Sequence, residues 1–304
     1  MTVLDQLPQR SRVAILRLRS LGDCVLTTPA VALLNRARPD LEVGMVVEDR
    51  FAEVFRGNPA INQLLTPTWQ TVRRWKPELC VNLHGGTRSQ WMTALSGARW
   101  RAGFAHHATT LAYNVKIRRA QAILGVQRPV HTAEHLASAF FALGVQLSDV
   151  PRAQLFAGEP TVSERHAVLH PFASAPEKEW PAARFAEVAR YLKLCNITPI
   201  FLAGPQDDVA AFKDHAVLKG TLSDVKAVLS NAALFIGNDS GPAHMAAAFG
   251  VPSVVLFSSS DPAIWEPWRT ESELIVSPEG FENVSVSRVI AALERLLALA
   301  EAHA

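Results

Sequence analysis

Residues 13–37 read VAILRLRSLGDCVLTTPAVALLNRA, and the spacing of their apolar residues changes partway along. The run 13–18 is aliphatic and β-branched, as a buried strand requires. Val25, Leu26, Ala30, Leu33 and Leu34 then fall on one face of a helix that must stop before Pro39. The loop Arg17-Leu18-Arg19-Ser20-Leu21-Gly22-Asp23 joins the two. Beyond it the alternation continues, with strands predicted over 43–47, 79–83 and 99–104 and a helix over 131–143 that stops at Gly144. After a loop near 158–160 it restarts, with strands over 167–170, 199–202, 234–237 and 253–257. Helices are predicted over 182–193, 222–230, 243–249 and 285–300.

Strands separated by crossover helices pair in parallel and are covered on both faces. Two such series predict an α/β chain of two doubly wound domains, 1–158 and 159–284, followed by a terminal helical segment, 285–304. Ligands of such sheets bind at the carboxyl ends of the strands. Two domains facing each other would make the cleft between them the default site. No internal repeat or low-complexity tract is visible.

Composition excludes several classes. Of 304 residues, 49% are hydrophobic and 19% charged, with 16 Gly and 19 Pro, which is neither disordered, collagen-like nor coiled coil. Thirty Lys and Arg against 28 Asp and Glu leave a net charge of +2, so charge gives no case for a nucleic-acid partner. Cys24, Cys80 and Cys195 lie far apart without a CxxC, which argues against a disulfide framework or structural zinc. The N-terminus MTVLDQLPQR lacks an apolar signal core, and the uncharged stretch 240–260 is interrupted by Gly241, Pro242, Gly250 and Pro252. The expected location is cytoplasmic, with contact at a membrane surface left open.

Four loops follow predicted strands. In the first, Gly22 suits a tight turn, and Asp23 either caps the following helix or serves as a general base. Arg17 and Arg19 are surface charges or hold an anionic partner beside it. In Gly237-Asn238-Asp239-Ser240-Gly241-Pro242-Ala243-His244, the helix N-terminus at Ser240 and Gly241 offers amides to an anion, and His244 falls within reach; an ordinary cap with a packed histidine is the plainer reading. Lys178 lies in a loop above the sheet, solvated or set against phosphate, and Pro181 suits the first position of the next helix. Gly204-Pro205-Gln206-Asp207-Asp208 is a turn or a ribose contact. GxGxxG, GxxxxGK[ST] and GxSxG are all absent. The pairs His131/His135 and His166/His170 lack a third metal ligand nearby, so no metal is expected.

Taken together, five segments resemble glycosyltransferase family 9, the ADP-heptose:lipopolysaccharide heptosyltransferases. They are LRLRSLGDCVLTTPAVALLNRARPD, VNLHGGTRSQWMTALSGARWRAGF, HTAEHLASAFFALG, KEWPAARFAEVARYL and IGNDSGPAHMAAAFGVPSVVLF, in that order. The resemblance implies a GT-B fold: two Rossmann-like domains facing across a cleft, the first binding acceptor, the second binding the nucleotide-sugar donor, and a C-terminal helix crossing back toward the first. It implies inverting transfer of heptose from ADP-heptose to a lipopolysaccharide-core hydroxyl without metal or other cofactor. Asp23 matches the catalytic base, with Arg17, Arg19 and Gly22 on the acceptor side. Lys178, Asp239, Ser240, Gly241 and His244 match the donor site.

The chain departs from the family at three places. Ala173-Ser174 stands where members carry two hydroxyl residues, leaving Ser174 as the matching donor contact. The family's ribose-binding acidic residue is matched in position by Gln206, Asp207 or Asp208, with Gln206 as the donor-site match. Gly220 stands where some members place an apolar residue against adenine. Another nucleotide sugar, a non-lipid acceptor, an epimerase or hydrolase of the same architecture, and a non-catalytic nucleotide-binding scaffold are the rival readings. Arg99, Arg101, Arg118, Arg119 and Arg128 suit an anionic glycolipid acceptor at the inner-membrane surface; a solvated basic surface accounts for them equally.

Overall fold

The computed structural model describes residues 1–107 and 110–302. The chain divides into two compact units, Met1–Phe156 and Ala157–Ala304. The first unit runs β1 (Arg12–Leu16), α1 (Leu21–Ala37), β2 (Glu42–Val46), α2 (Asp49–Ala52), β3 (Gln63–Leu65) and α3 (Trp69–Trp75). It continues through β4 (Leu79–Asn82), α4 (Thr87–Leu95), β5 (Trp100–Phe104), β6 (Val115–Ile117), α5 (Ala120–Leu124) and α6 (Thr132–Leu143). Its six strands are parallel in the order β3-β2-β1-β4-β5-β6, with Ala14 opposite Gly44 on one side and Cys80 on the other.

The second unit runs β7 (His166–His170), α7 (Ala182–Leu194), β8 (Thr198–Leu202), β9 (Ala216–Leu218), α8 (Leu222–Leu229) and β10 (Leu234–Asn238). It ends with α9 (Gly241–Phe249), β11 (Ser253–Phe257), α10 (Pro262–Trp265), β12 (Ser272–Val276) and α11 (Val286–Ala302). Its sheet, also parallel, is ordered β12-β11-β10-β7-β8-β9. Counted from its own first strand, that is the order of the first sheet, the doubly wound 3-2-1-4-5-6. In each sheet the first and fourth strands, β1/β4 and β7/β10, are neighbours. The chain leaves them in opposite directions there, so each unit has one switch point at the carboxyl end of its sheet.

Residues 13–16 of β1 are wholly buried, as their composition requires. Helix α1 differs from the expected one-faced pattern. Cys24, Val25, Thr27, Thr28, Val31 and Leu34 are all buried, so the helix is enclosed nearly all round, with α6 packed along it. Pro29 removes the N–H that would bond Val25 O, and Thr28 Oγ1 donates to that carbonyl instead at 2.8 Å. Gly22 is not in the turn. The helix starts at Leu21 with Ser20 as its cap, which places Gly22 in the first helical turn. Pro181 likewise is the cap of α7 and precedes its first residue, Ala182.

The predicted central strands are present, whereas the four edge strands β3, β6, β9 and β12 were not anticipated. Three of these are only three residues long, too short for alternation to register. The second core is aromatic, with Trp180, Phe185, Phe201 and Phe212 wholly buried and Phe201 stacked on Phe212 at 4.1 Å. Burial of each such ring stabilises by about 1.5–3 kcal/mol. One core cluster of the first unit gathers Leu16, Val46, Leu65, Val72 and Met92.

Candidate active site

Arg17 is the first residue beyond β1 and is buried. Its Nη1 donates to Leu83 O at 2.5 Å and its Nη2 to Asp23 Oδ1, so one side chain joins the ends of β1 and β4 to the first turn of α1. Its Nε is buried without a hydrogen-bond partner among the described residues. Burial draws the guanidinium down to about 10, which leaves it charged at neutral pH. Asp23 Oδ2 accepts from Ser20 N at 3.3 Å and Ser20 Oγ at 2.9 Å. Asp23 therefore caps α1. It also lines a cavity of about 530 Å³ with Arg17, Arg19, Ser20, Arg50, Phe51 and His84, so the two readings of this residue are compatible. A carboxylate has about four acceptor positions. Arg17 and Ser20 fill three of them, which leaves one on Oδ1. Gly22 is buried beside this wall and is not part of it.

The other half of this switch point is organised by Asn82, the last residue of β4 and wholly buried. Its Nδ2 donates to Ser89 Oγ and Thr93 Oγ1 at 3.1 Å, while its Oδ1 accepts from His84 N at 3.0 Å and Gly85 N at 2.9 Å. Gly85 has φ +77°, and a Cβ there would run into the His107 ring. Burial, with the Arg17 and Arg19 charges, holds the His84 imidazole below its ordinary value. His106, His107 and His135 gather around Phe104 at the end of β5, with His135 stacked on Phe104 at 4.2 Å. Burial pushes His107 and His135 down to about 4. His131 is occupied elsewhere, capping α6 by accepting Ala133 N at 3.1 Å. Among the described residues, no group of three or more His, Cys, Asp or Glu is placed to hold a metal ion.

Asn238 plays the corresponding part at the second switch point. Wholly buried at the end of β10, it accepts Trp180 N at 3.0 Å and donates to Pro171 O at 2.7 Å. Ser240 is the N-cap of α9, yet its hydroxyl makes no cap bond and is paired with His170 Nδ1 at 3.0 Å. The α9 amides are thus left without a side-chain cap. His244, in the first turn, is 4% exposed, and its Nδ1 has no hydrogen-bond partner among the described residues. Burial pushes its pKa down to about 4, so the ring is neutral.

Lys178 ends the single turn Pro176–Lys178 and donates from Nζ to Ser260 Oγ at 3.1 Å. Burial raises the Asp239 pKa, opposed by the neighbouring Ser260 hydroxyl and by the Lys178 charge. Ser174 is exposed in the loop after β7. In the loop after β8, Asp207 accepts Gly204 N at 2.7 Å and Asp208 accepts Ala210 N at 2.9 Å, while Gln206 is exposed. A Cβ at Gly220 would lie 2.8 Å from Asp224 Oδ2.

Asn82, Asn238 and Ser260 were missed in the sequence. Asparagine is depleted in strands, so one closing each fourth strand was the available signal, as was the serine run 258–260 after a strand. Chemically, one switch point presents a fixed carboxylate to a cavity. The other presents amides, an ammonium and a neutral imidazole suited to an anion.

Residues 66–288 match glycosyltransferase family 9 (heptosyltransferase). Lipopolysaccharide heptosyltransferase 3 of Escherichia coli is 26% identical over 293 residues, covering 81% of this chain and 83% of that protein. The crystal structure of the glycosyl transferase family 9 from Veillonella parvula DSM 2008 has the same fold, with a TM-score of 0.84, 22% identity and coverage of 95% of this chain and 98% of that one. The structure of E. coli ADP-heptose lps heptosyltransferase II follows, with a TM-score of 0.82, 17% identity and coverage of 95% and 99%. The α/β, GT-B fold class expected from the sequence is therefore present. With the match running from ahead of α3 into the start of α11, the chain belongs to glycosyltransferase family 9 and is a glycosyltransferase of the heptosyltransferase kind.

Proposed function

We propose that this enzyme transfers a heptose from ADP-heptose to a hydroxyl of a lipopolysaccharide-core acceptor, with inversion, without metal, and with Asp23 as general base. The reading is carried by Asp23 facing a cavity at a strand-end switch point, with Arg17 fixed against it, in a chain of family 9. Asp23 lies outside the matched stretch 66–288, while every proposed donor residue lies inside it. Two solved structures of the same fold, E. coli ADP-heptose lps heptosyltransferase II and E. coli heptosyltransferase WaaC with ADP, support the donor.

In the proposed step the acceptor oxygen attacks the anomeric carbon from the face opposite the diphosphate. The new C–O bond forms as the bond to the phosphate oxygen breaks, and ADP departs with that electron pair. The acceptor proton passes to the free position on Asp23. Arg17 holds the carboxylate in place, and Arg19, with Gly22 in the first turn of α1, belongs to the acceptor side.

The departing charge meets the Lys178 ammonium and the α9 N-terminus at Ser240 and Gly241, equivalent to roughly half a positive charge. His244, neutral, donates or accepts a hydrogen bond there, Ser174 adds a hydroxyl, and Gln206 takes the ribose. Asp239 faces the sugar. The acceptor is an anionic glycolipid reached at the cytoplasmic face of the inner membrane, and the enzyme works there from the cytoplasm.

A thermal-shift panel of ADP, UDP, GDP, CMP and their sugar conjugates tests the donor. ADP and ADP-heptose at about 100 times Kd stabilise by about 2.7 kcal/mol, and the other nucleotides leave the midpoint unchanged. A uridine or guanosine nucleotide giving the larger shift overturns the donor, and no shift by any nucleotide favours the scaffold reading.

A further inference from the structure

The first unit carries a surface that the proposed reaction does not use. Helix α4 turns Thr87, Arg88, Trp91, Ala94 and Leu95 outward on one face, with Trp91 64% and Leu95 38% exposed. Leu111, 99% exposed, and Ala112 meet Thr87, Gln90, Trp91 and Ala94 to form an apolar groove of about 330 Å³. Single exposed apolar residues are ordinary; a tryptophan and a leucine lining one groove, with Leu95 a turn further along the same helix face, mark a contact surface.

One arginine is bonded to this groove, and others stand in the segments next to it. Arg101 is bonded to it directly, donating from Nε to Ala112 O at 3.1 Å and from Nη1 to Ala98 O at 3.0 Å. Past the end of α4 the Arg73 guanidinium lies beside Gly97 and Arg99 over the Trp100 ring, while Arg88, on the outward face of α4, donates to Pro67 O at 2.8 Å. Glu48 answers part of that charge, pairing with Arg88 and Arg50. The unit as a whole has 19 Lys and Arg against 10 Asp and Glu, a net +9. The second unit has 11 against 18, a net −7, so the chain total of +2 conceals a strongly basic half.

We propose that the groove and the arginines beside it are the surface on which the first unit rests against an anionic lipid bilayer. Trp91, Leu95 and Leu111 enter the headgroup region, and the arginines meet lipid phosphates. Tryptophan suits that depth because its ring is apolar and its N–H remains wet. Arginine stays charged there and grips phosphate with two N–H groups. Each arginine near such a surface is worth roughly fivefold in partitioning. The assignment rests on the lipid-linked acceptor proposed above. No helix among the described residues is long and apolar enough to cross a membrane.

The test is vesicle flotation of the full chain with phosphatidylcholine alone and with phosphatidylcholine mixed with phosphatidylglycerol. Binding is expected to favour the mixed vesicles at least about tenfold and to weaken with salt. The double variant Trp91→Ser, Leu111→Ser is expected to lose about tenfold or more, and Trp91→Phe with Leu111→Met to restore binding. ADP affinity, measured on the same samples, stays at the wild-type value in both. Double-variant binding equal to wild type, or no preference for the anionic vesicles, overturns the proposal. So does a wild-type dimer that the double variant dissociates, which would give the groove to a second copy of the chain. Failure of every variant and the wild type to bind ADP, with vesicle binding intact, overturns the donor reading instead.

Discussion

Lys178 donates to the hydroxyl of Ser260, which stands 82 positions from it in the chain. The same hydroxyl and the Lys178 charge both favour the ionised form of Asp239, so the serine stands between an ammonium and a carboxylate. Hydrogen bonds to charged groups contribute about 1.5–3 kcal/mol. Ser260→Ala is therefore expected to raise the KM for the donor about tenfold or more, with a smaller effect on kcat, and Ser260→Thr to restore it. An unchanged KM in the alanine variant would remove Ser260 from the site.

His244 makes a second prediction through pH. Its pKa is about 4 folded and 6.5 unperturbed, so at pH 7 neither state carries its proton. As pH falls through 6.5 the unfolded chain takes up a proton the native ring excludes, and stability falls until about pH 4. At pH 5 that difference is about 2 kcal/mol. His244→Gln should flatten the fall in urea midpoint between pH 7 and 5, and an equal slope in both proteins would contradict it. Asp23 and Lys178 stood out in the sequence because a residue type in a strand-end loop carries chemistry. The Ser260 partner of Lys178 and the Leu83 carbonyl that fixes Arg17 did not, because only folding brings them there.

Each fourth strand ends in a wholly buried asparagine that bonds the backbone of a loop or helix start. Asn238→Ala would leave the Trp180 N–H and the Pro171 carbonyl unpaired, at about 1–3 kcal/mol for each group. The expected loss of about 2–6 kcal/mol is read from urea unfolding, and a loss below about 1 kcal/mol would show that the loops hold themselves. The central strands and long helices were readable because apolar runs of four or more and turn residues bound them. The edge strands QLL, VKI and AVL were not: three residues carry no period, and it is pairing with β2, β5 and β8 that makes them strands. Helix α1 was readable as a helix but not as an enclosed one, since Thr27 and Thr28 look polar until their hydroxyls are seen bonding Asp23 O and Val25 O.

The two sheets share one strand order, although the sequence shows no repeat. Topology depends on alternation and right-handed crossovers, which many residue choices satisfy. The opposed charges of the two units were equally hidden, because +9 and −7 nearly cancel in the total. Between the cores lies a stretch with no helix or strand, in which 158–161 and 163–165 are exposed. Exposed segments of this kind are cut first. A glutamate-specific protease is expected to cleave first at Glu159 or Glu164, giving two fragments that resist further digestion. First cleavage within β1–α1 or β7–α7 would contradict that.

The most direct measurement compares wild type with Asp23→Asn for turnover of ADP-heptose in the presence of a lipopolysaccharide-core acceptor, with ADP affinity measured alongside and the product's anomeric configuration read by NMR. Wild type should give the inverted product, and the variant should lose about 10²–10⁴-fold in kcat with unchanged ADP affinity. A variant within about tenfold of wild-type kcat, or a product of retained configuration, would contradict Asp23 as the base of an inverting transfer.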